Sequence, residues 1–266
     1  MKIIVCVKQV PDTTGKVALN PDGTLDRAKM KVIINPDDLN AVEAALSLKD
    51  QLGCRVCVIT MGPPAAEKML RELMAMGCDD SVLVCGPEFK GSDTFATSAI
   101  LAAAIEKIGL DDDDMVFCGQ RAIDGDTAQV GPELAEKLGI AQATYAAGLE
   151  MKDGTTFVKR ALEGAYETVS LKAPCLVTCT KELNTPRYMS VEGIFETYKK
   201  PMMVLGFKEL SENPAITPDS IGLAGSPTSI LSTFAPPEKP AGRMLDGNGM
   251  ETCRQLAGIL SGRHVL

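Results

Sequence analysis

The chain contains no tryptophan and one histidine, His264, close to its C-terminus, and aromatic residues make up only 4% of it. A Ser–His–Asp triad, a histidine-rich metal site and a histidine general base are therefore not expected. If the protein carries out redox or group-transfer chemistry, a cofactor must supply it. No apolar stretch is long enough to span a bilayer. The run Ile3 to Val7 is too short for a signal-peptide core and is broken by Lys8, so it reads as a strand. Positive charge is in the minority: 27 Lys and Arg stand against 35 Asp and Glu, a net charge of −8. That balance argues against nucleic acid and against insertion at an anionic membrane. No G-x-G-x-x-G follows the first strand, and no Walker lysine motif is present.

Cysteine is plentiful but unframed. There are nine, an odd number, and Cys6, Cys57, Cys85, Cys118, Cys175 and Cys179 fall in strand-like runs. Buried free thiols in a reducing cytosol explain this pattern, so a cytoplasmic location is expected. Cys54 and Cys57 spell C-x-x-C, but three residues apart on a strand they point to opposite faces, and the pair is set aside as a redox dithiol.

With 266 residues and 45% hydrophobic content, the chain can bury a sizeable core, near the size at which one core stops growing. The first half alternates strand and helix signals. Lys2 to Val10 reads as a buried strand. A hairpin is expected around Pro21-Asp22-Gly23, and Lys31 to Ile34 reads as a short strand. Asn35-Pro36-Asp37-Asp38 then caps a helix running to Leu52, with Gly53 as its stop. Strands are expected at Arg55 to Met61, Ser81 to Cys85 and Met115 to Cys118. Helices are expected at Ala65 to Met76 and from Ser92 or Asp93 to near Gly109. This order implies an α/β fold with a doubly wound parallel sheet. In the second half, Thr144 to Leu149, Thr156 to Ala161, Tyr166 to Leu171 and Cys175 to Thr180 read as a short antiparallel extension. Prolines 214, 218, 227, 236, 237 and 240 punctuate the stretch from Glu212 to Gly242, which reads as an extended C-terminal arm. A final helix is expected at Met250 to Leu260. The expected division is 1–200 for the α/β domain and 201–266 for an arm and helix that lie on a partner.

The most informative stretch is Gly119 to Pro132, GQRAIDGDTAQVGP. It lies between a strand and the helical pattern Glu133 to Leu138. Open α/β sheets bind ligands at the carboxyl ends of their strands, in such turns, and a helix start offers free N–H groups to an anion. Asp124 and Asp126 would repel a phosphate placed against them. They are open to three roles: capping the helix, pinning the loop backbone, or accepting from a ribose hydroxyl. Val7 to Thr13, Asn35 to Asp38 and Met61 to Pro64 fall at the same edge of the sheet. Together the four loops describe one nucleotide-sized crevice.

VKQVPD at Val7 to Asp12, NPDDLNAVEAAL at Asn35 to Leu46, TMGPP at Thr60 to Pro64 and GQRAIDGDTAQVGP resemble the beta subunit of electron transfer flavoproteins. So does VKRALEGAYETVSLKAPCLVT, Val158 to Thr178, followed by Thr185-Pro186-Arg187-Tyr188. Ala165 departs from the family pattern, where an acidic residue or glycine is usual. The resemblance covers nearly the whole chain and implies an adenine-nucleotide-binding sheet paired with an alpha subunit. Pro11-Asp12-Thr13, DGDTAQVGP, Ser92-Asp93-Thr94, Ala96-Thr97-Ser98 and AGSPT at Ala224 to Thr228 are similar to the bifurcating subgroup. There the beta subunit holds FAD and takes a hydride from NADH. One electron goes to ferredoxin or flavodoxin. The other passes through the alpha-subunit FAD to an acyl-CoA dehydrogenase-like enzyme. The alternative is an ordinary carrier with AMP in the same crevice. A universal-stress type nucleotide sensor is the competing reading from another class, and the antiparallel extension and proline-rich arm argue against it.

Carried over position by position, the resemblance implies that Cys6, Val7, Lys8, Asn35, Asp38, Met61 and Gly62 surround the adenosine end. Gly119, Gln120, Ala122, Asp124, Gly125, Asp126, Thr127, Ala128, Gln129, Val130 and Gly131 would wrap the phosphates and ribityl chain. Ser226, Pro227 and Thr228 would approach the flavin. Lys8 and Arg121 are candidate cationic tuners or, equally, surface salt-bridge partners. The loop after Pro186 would dock the dehydrogenase through Arg187, Tyr188, Met189, Val191 and Ile194, with Val191 as its apolar anchor.

Overall fold

Strand β1 (Lys2–Cys6) alternates its side chains between two cores. Ile3, Val5 and Val7 face one, and Ile4 and Cys6 the other. A strand buried on both faces must be covered by helices on both sides, and the chain supplies them. The structure, a computed structural model, describes residues 1–12, 31–229, 231 and 241–266. The hairpin expected around Pro21-Asp22-Gly23, Thr13, and Pro236, Pro237 and Pro240 lie outside the described residues.

β1 pairs in parallel with β4 (Arg55–Met61) on one side and β6 (Met115–Gly119) on the other. Beyond β4 lie β5 (Asp80–Val84) and then β11 (Met203–Leu205). Beyond β6 lie β10 (Cys175–Cys179), β7 (Ala141–Lys152), β8 (Thr155–Leu162) and β9 (Ala165–Lys172), completing a nine-stranded sheet. The chain runs outward from β1 through β4 to β5 and then returns to the other side of β1 as β6. The strand order therefore reverses between β1 and β6, which is where an open α/β sheet leaves a crevice at its carboxyl edge.

Four helices cover the faces. α1 (Pro36–Leu52) starts on a proline and ends at Gly53, whose left-handed φ of 69° lets its N–H return to the Lys49 carbonyl. α2 (Glu67–Met76) follows a single tight turn, Pro64–Ala66. α3 (Thr94–Ile108) is capped by Asp93, whose carboxylate accepts from the Ala96 N–H at 3.0 Å. α4 (Val130–Leu138) starts three residues earlier than the sequence pattern suggested.

Four expectations need correcting. The run Lys2 to Val10 is not one strand. β1 stops at Cys6, and β2 (Gln9–Pro11) turns away to pair antiparallel with β3 (Val32–Ile34). The chain bends because the Lys8 N–H is drawn to the Asp38 carboxylate while the Lys8 carbonyl takes the Asn35 N–H. Cys175 to Thr180 does not belong to the antiparallel extension. β10 inserts in parallel between β6 and β7, and its five residues are all buried. A strand buried along its whole length, with its one polar side chain, Thr178, accepting from the Tyr145 N–H, suits a sheet interior rather than a half-exposed meander. Only β7, β8 and β9 form the antiparallel part.

The segment after Pro201 is also less extended than expected at its start. β11 adds to the sheet, α6 (Phe207–Leu210) follows, and Leu210, Ile216 and Ile221 are buried in the main body. Finally, Met189 to Ile194 is not a loop throughout. It enters α5 (Val191–Thr197), capped by the Ser190 hydroxyl on the Gly193 N–H. The last helix, α7 (Gly249–Gly262), has a reciprocal Asn248–Glu251 capping box but no buried residue. Among the described residues no helix is long and apolar enough to cross a membrane.

Candidate functional site

A crevice with about 310 Å³ of water-accessible space opens at the switch point. Its floor is the carboxyl ends of β1 and β6: Cys6, Val7 and Lys8 from one, Cys118, Gly119 and Gln120 from the other. Met61 at the end of β4 and Asp38 in the first turn of α1 close the floor. One wall is the loop Arg121, Ala122 and Gly125 to Gly131, and the other is the start of α3. Close packing fixes this geometry. A Cβ on Gly119 would collide with the Asp38 carboxylate and with the α1 backbone at Asp37 and Asp38. A Cβ on Gly131 would come within 2.6 Å of Thr178 Cγ2 on β10.

The long loop is held from outside the crevice. Asn35, fully buried, donates from its amide to the Arg121 carbonyl (2.8 Å) and accepts from the Ile123 N–H (3.1 Å). Its side chain caps nothing on α1 and does not line the crevice; it pins the loop. The two aspartates of the loop hold cations. Lys8 Nζ donates to both oxygens of Asp124 at 2.8 Å, and Arg121 Nε lies 3.0 Å from Asp126. Each pair is partly exposed and contributes at most about 1 kcal/mol. Asp126 and Ala128 adopt left-handed φ values of 57° and 55°. For alanine this is a strained conformation, of the sort that clusters at ligand clamps.

That backbone path leaves donors free. The first bond of α4 runs from the Glu133 N–H to the Gln129 carbonyl, and Pro132 has no N–H. Among the described residues the N–H groups of Thr127, Ala128, Gln129, Val130 and Gly131 find no acceptor. They line the crevice at the positive end of a helix, an arrangement suited to an anion such as a phosphate.

Ionisable groups crowd the floor. Asp38 is buried; its Oδ2 accepts from the Lys8 N–H (2.7 Å) and its Oδ1 from the Gly119 N–H (3.1 Å). Burial pushes its carboxyl up to about 7, against the lowering effect of those bonds and of the Asn35 amide. A hydrogen bond with Cys6, then burial, pushes the Cys118 thiol far up. Burial also raises Asp37 and Glu133. Glu133 accepts from the Thr94 hydroxyl at 3.2 Å on one oxygen, while its other oxygen is buried without a partner. At the mouth, burial works to raise Asp93, but the N–H groups of Ala96 and Thr228 outweigh it and hold its carboxyl below the ordinary range.

Most of the residues carried over by resemblance meet here, with exceptions. Gly62 donates to the Val84 carbonyl and lies off the crevice, as does Asp124. Ser226, Pro227 and Thr228 sit on the rim. The Ser226 hydroxyl oxygen accepts from the Asp93 N–H at 2.8 Å, and the Thr228 N–H donates to Asp93 Oδ2 at 2.9 Å. Lining residues that were not assigned to the site are Ser92, Asp93, Thr94, Thr97, Leu101 and Cys118. Thr94, Thr97 and Leu101 recur at helical spacing and so share a face, which was the available signal.

The segment expected to dock a partner lies on another face. Arg187 grips Glu43 (2.9 and 3.0 Å) and Asp50 (2.8 Å) on α1, and these bonds raise its already high pKa. It anchors the segment. Tyr188 is 95% exposed and Val191 75%, while Met189 and Ile194 line a groove of about 500 Å³ against α2.

The sequence matches the electron transfer flavoprotein domain over residues 22–210. It is 56% identical over 267 residues to the acryloyl-CoA reductase electron transfer subunit gamma of Anaerotignum propionicum, spanning all of both chains. It is 44% identical over 269 residues to subunit CarD of the caffeyl-CoA reductase-Etf complex of Acetobacterium woodii, again over the full length of both. It is 45% identical over 268 residues to an electron transfer flavoprotein subunit beta of Thermoanaerobacterium thermosaccharolyticum, at full coverage of both.

Proposed function

We propose a function from one premise: the chain belongs to the electron transfer flavoprotein family, on its beta-subunit side. Its crevice holds FAD, with the diphosphate against the free N–H groups of residues 127–131 and the adenosine end over Cys6, Val7, Lys8, Asp38 and Met61. That row of donors at the start of α4 is the observation that carries the reading. The residues fit the group. Glycines at positions 119 and 131 admit close backbone packing where side chains would collide, and the acceptors that would repel a phosphate, Asp124 and Asp126, are each engaged with a cation.

The flavin supplies hydride acceptance from NADH and one-electron transfer when bound. The chain binds, orients and shields it. Asn35 fixes the loop, Asp93 ties the segment from Ser226 to Thr228 to the crevice rim, and the strand ends form the floor. The acceptors this reading names are ferredoxin or flavodoxin and, beyond an alpha subunit that would hold its own FAD, an acyl-CoA dehydrogenase-like enzyme in the cytoplasm. The relatives named for acryloyl-CoA and caffeyl-CoA reductase complexes support that partnership. Val191, with Tyr188, Met189 and Ile194, meets that enzyme, while the arm and α7 pack on the alpha subunit. Anaerobic addition of NADH to the chain expressed with its alpha subunit tests the reading: flavin absorbance bleaches. An unchanged spectrum contradicts NADH oxidation and leaves the AMP-holding carrier.

A further inference from the structure

We propose that Asp38 takes up a proton from water when the nucleotide enters the crevice, so that the site meets its anionic ligand with a neutral floor. This rests on the nucleotide reading above and adds a proton to it. Asp38 is a buried carboxyl on the floor with no cation of its own. Its oxygens are met by neutral donors alone, the Lys8 N–H at 2.7 Å, the Gly119 N–H at 3.1 Å and the Asn35 amide. The nearby cations are turned elsewhere, Lys8 Nζ to Asp124 and Arg121 to Asp126.

The other groups facing Asp38 are acids or thiols. Asp37 is its neighbour on α1, Cys6 lies on β1, Cys118 on β6 and Cys179 on β10. Each of these, if ionised, adds negative charge to the floor. A carboxylate there already sits near the point of protonation, pushed up to about 7 by burial. An entering nucleotide removes water from the floor with its adenosine end and adds negative charge to the crevice with its diphosphate, and both changes favour the neutral acid. In that form Oδ2 remains the acceptor for the Lys8 N–H, the shorter bond, and Oδ1 becomes a hydroxyl able to donate. Asn keeps an acceptor for the Lys8 N–H and carries no titrating proton, although its NH2 group cannot accept from the Gly119 N–H.

The test uses the chain with its alpha subunit, stripped of nucleotide and titrated with FAD, whose bridged phosphates do not titrate near neutrality. Affinity at this site falls up to about tenfold per pH unit above pH 7 and levels off below it. Whatever affinity for FAD Asp38→Asn keeps, its profile is flat across the same range. Calorimetry in buffers of different ionisation heat registers up to about one proton taken up per site by the wild type at pH 8 and none by Asp38→Asn. AMP, whose monoester phosphate titrates at about pH 6, is run beside FAD with Asp38→Asn as the baseline for its own titration. A pH-independent wild type, or a variant with the same slope, overturns the proposal while leaving the nucleotide reading intact. Loss of FAD from Asp38→Asn at every pH overturns it in favour of a purely structural clamp. If neither FAD nor AMP enters the wild-type site at any pH, the nucleotide reading falls and this one with it.

Discussion

The crevice edge of the sheet and the C-terminal helix are opposite solutions to the same need for contact. At the crevice, polar atoms find partners inside the chain: Asn35 holds two points of the long loop, Asp38 two strand ends, and Asp93 both its own helix and the rim segment. The donors left over are backbone N–H groups facing one cavity. α7 is built the other way. It is locally complete, with its own capping box, yet Met250 is 66% exposed and Leu256 47%. The first region turns its unpaired donors to one cavity, and the second turns its apolar side chains to solvent. Exposed apolar side chains on a terminal helix are the kind of surface that the proposed assembly with an alpha subunit would use.

That contrast can be broken by substitution. The largest effect is expected from Phe117→Ala in the middle of β6. Its side chain is fully buried, and its loss lowers the chain's stability by about 3–5 kcal/mol in denaturant unfolding. Leu256→Asp on α7 is expected to change the same measurement by less than about 0.5 kcal/mol but to weaken assembly with the alpha subunit in sedimentation. Equal destabilisation by the two would erase the distinction.

Next comes pH. Asp38 has its folded pKa raised from 3.8 to about 7, so the folded state holds this proton more tightly than the unfolded chain. Its contribution to stability is complete below pH 3.8 and is lost as pH rises through about 7, at up to about 1.4 kcal/mol per unit. Unfolding of Asp38→Asn beside the wild type isolates it: the difference between the two shifts in favour of the variant as pH rises from 4 to 8. The reverse divergence would contradict the burial account.

Gly119→Ala is expected to cost about 1–3 kcal/mol, because the added methyl meets the Asp38 carboxylate and the α1 backbone. It should also empty the crevice while leaving the alpha-subunit flavin in place. The smallest effect is expected from Asp124→Ala. Its ion pair with Lys8 is partly exposed, so thermal unfolding should shift by less than about 1 kcal/mol.

Much of this was legible in the sequence where local chemistry and burial agree. α1 was bounded by Pro36 and Gly53, α3 by Asp93 and Gly109, and the strand–loop–helix at Gly119 to Pro132 stood out by its glycines and length. The parallel place of β10 was not legible. The pairing partner of a short buried strand is decided by tertiary contacts that its own residues do not encode. Local patterning also marked Asn35 as a helix cap, whereas its side chain reaches 86 and 88 residues along the chain to the loop. The roles of Asp124 and Asp126 were open for the same reason. Their cations, Lys8 and Arg121, became identifiable only when β1 and β6 were placed side by side.

The central claim is that the crevice between β1 and β6 holds FAD. The most direct measurement is the number of FAD molecules released from the purified complex of this chain with its alpha subunit. Two per heterodimer, falling to one in Gly119→Ala, is the result predicted. One FAD with AMP in the extract would contradict it.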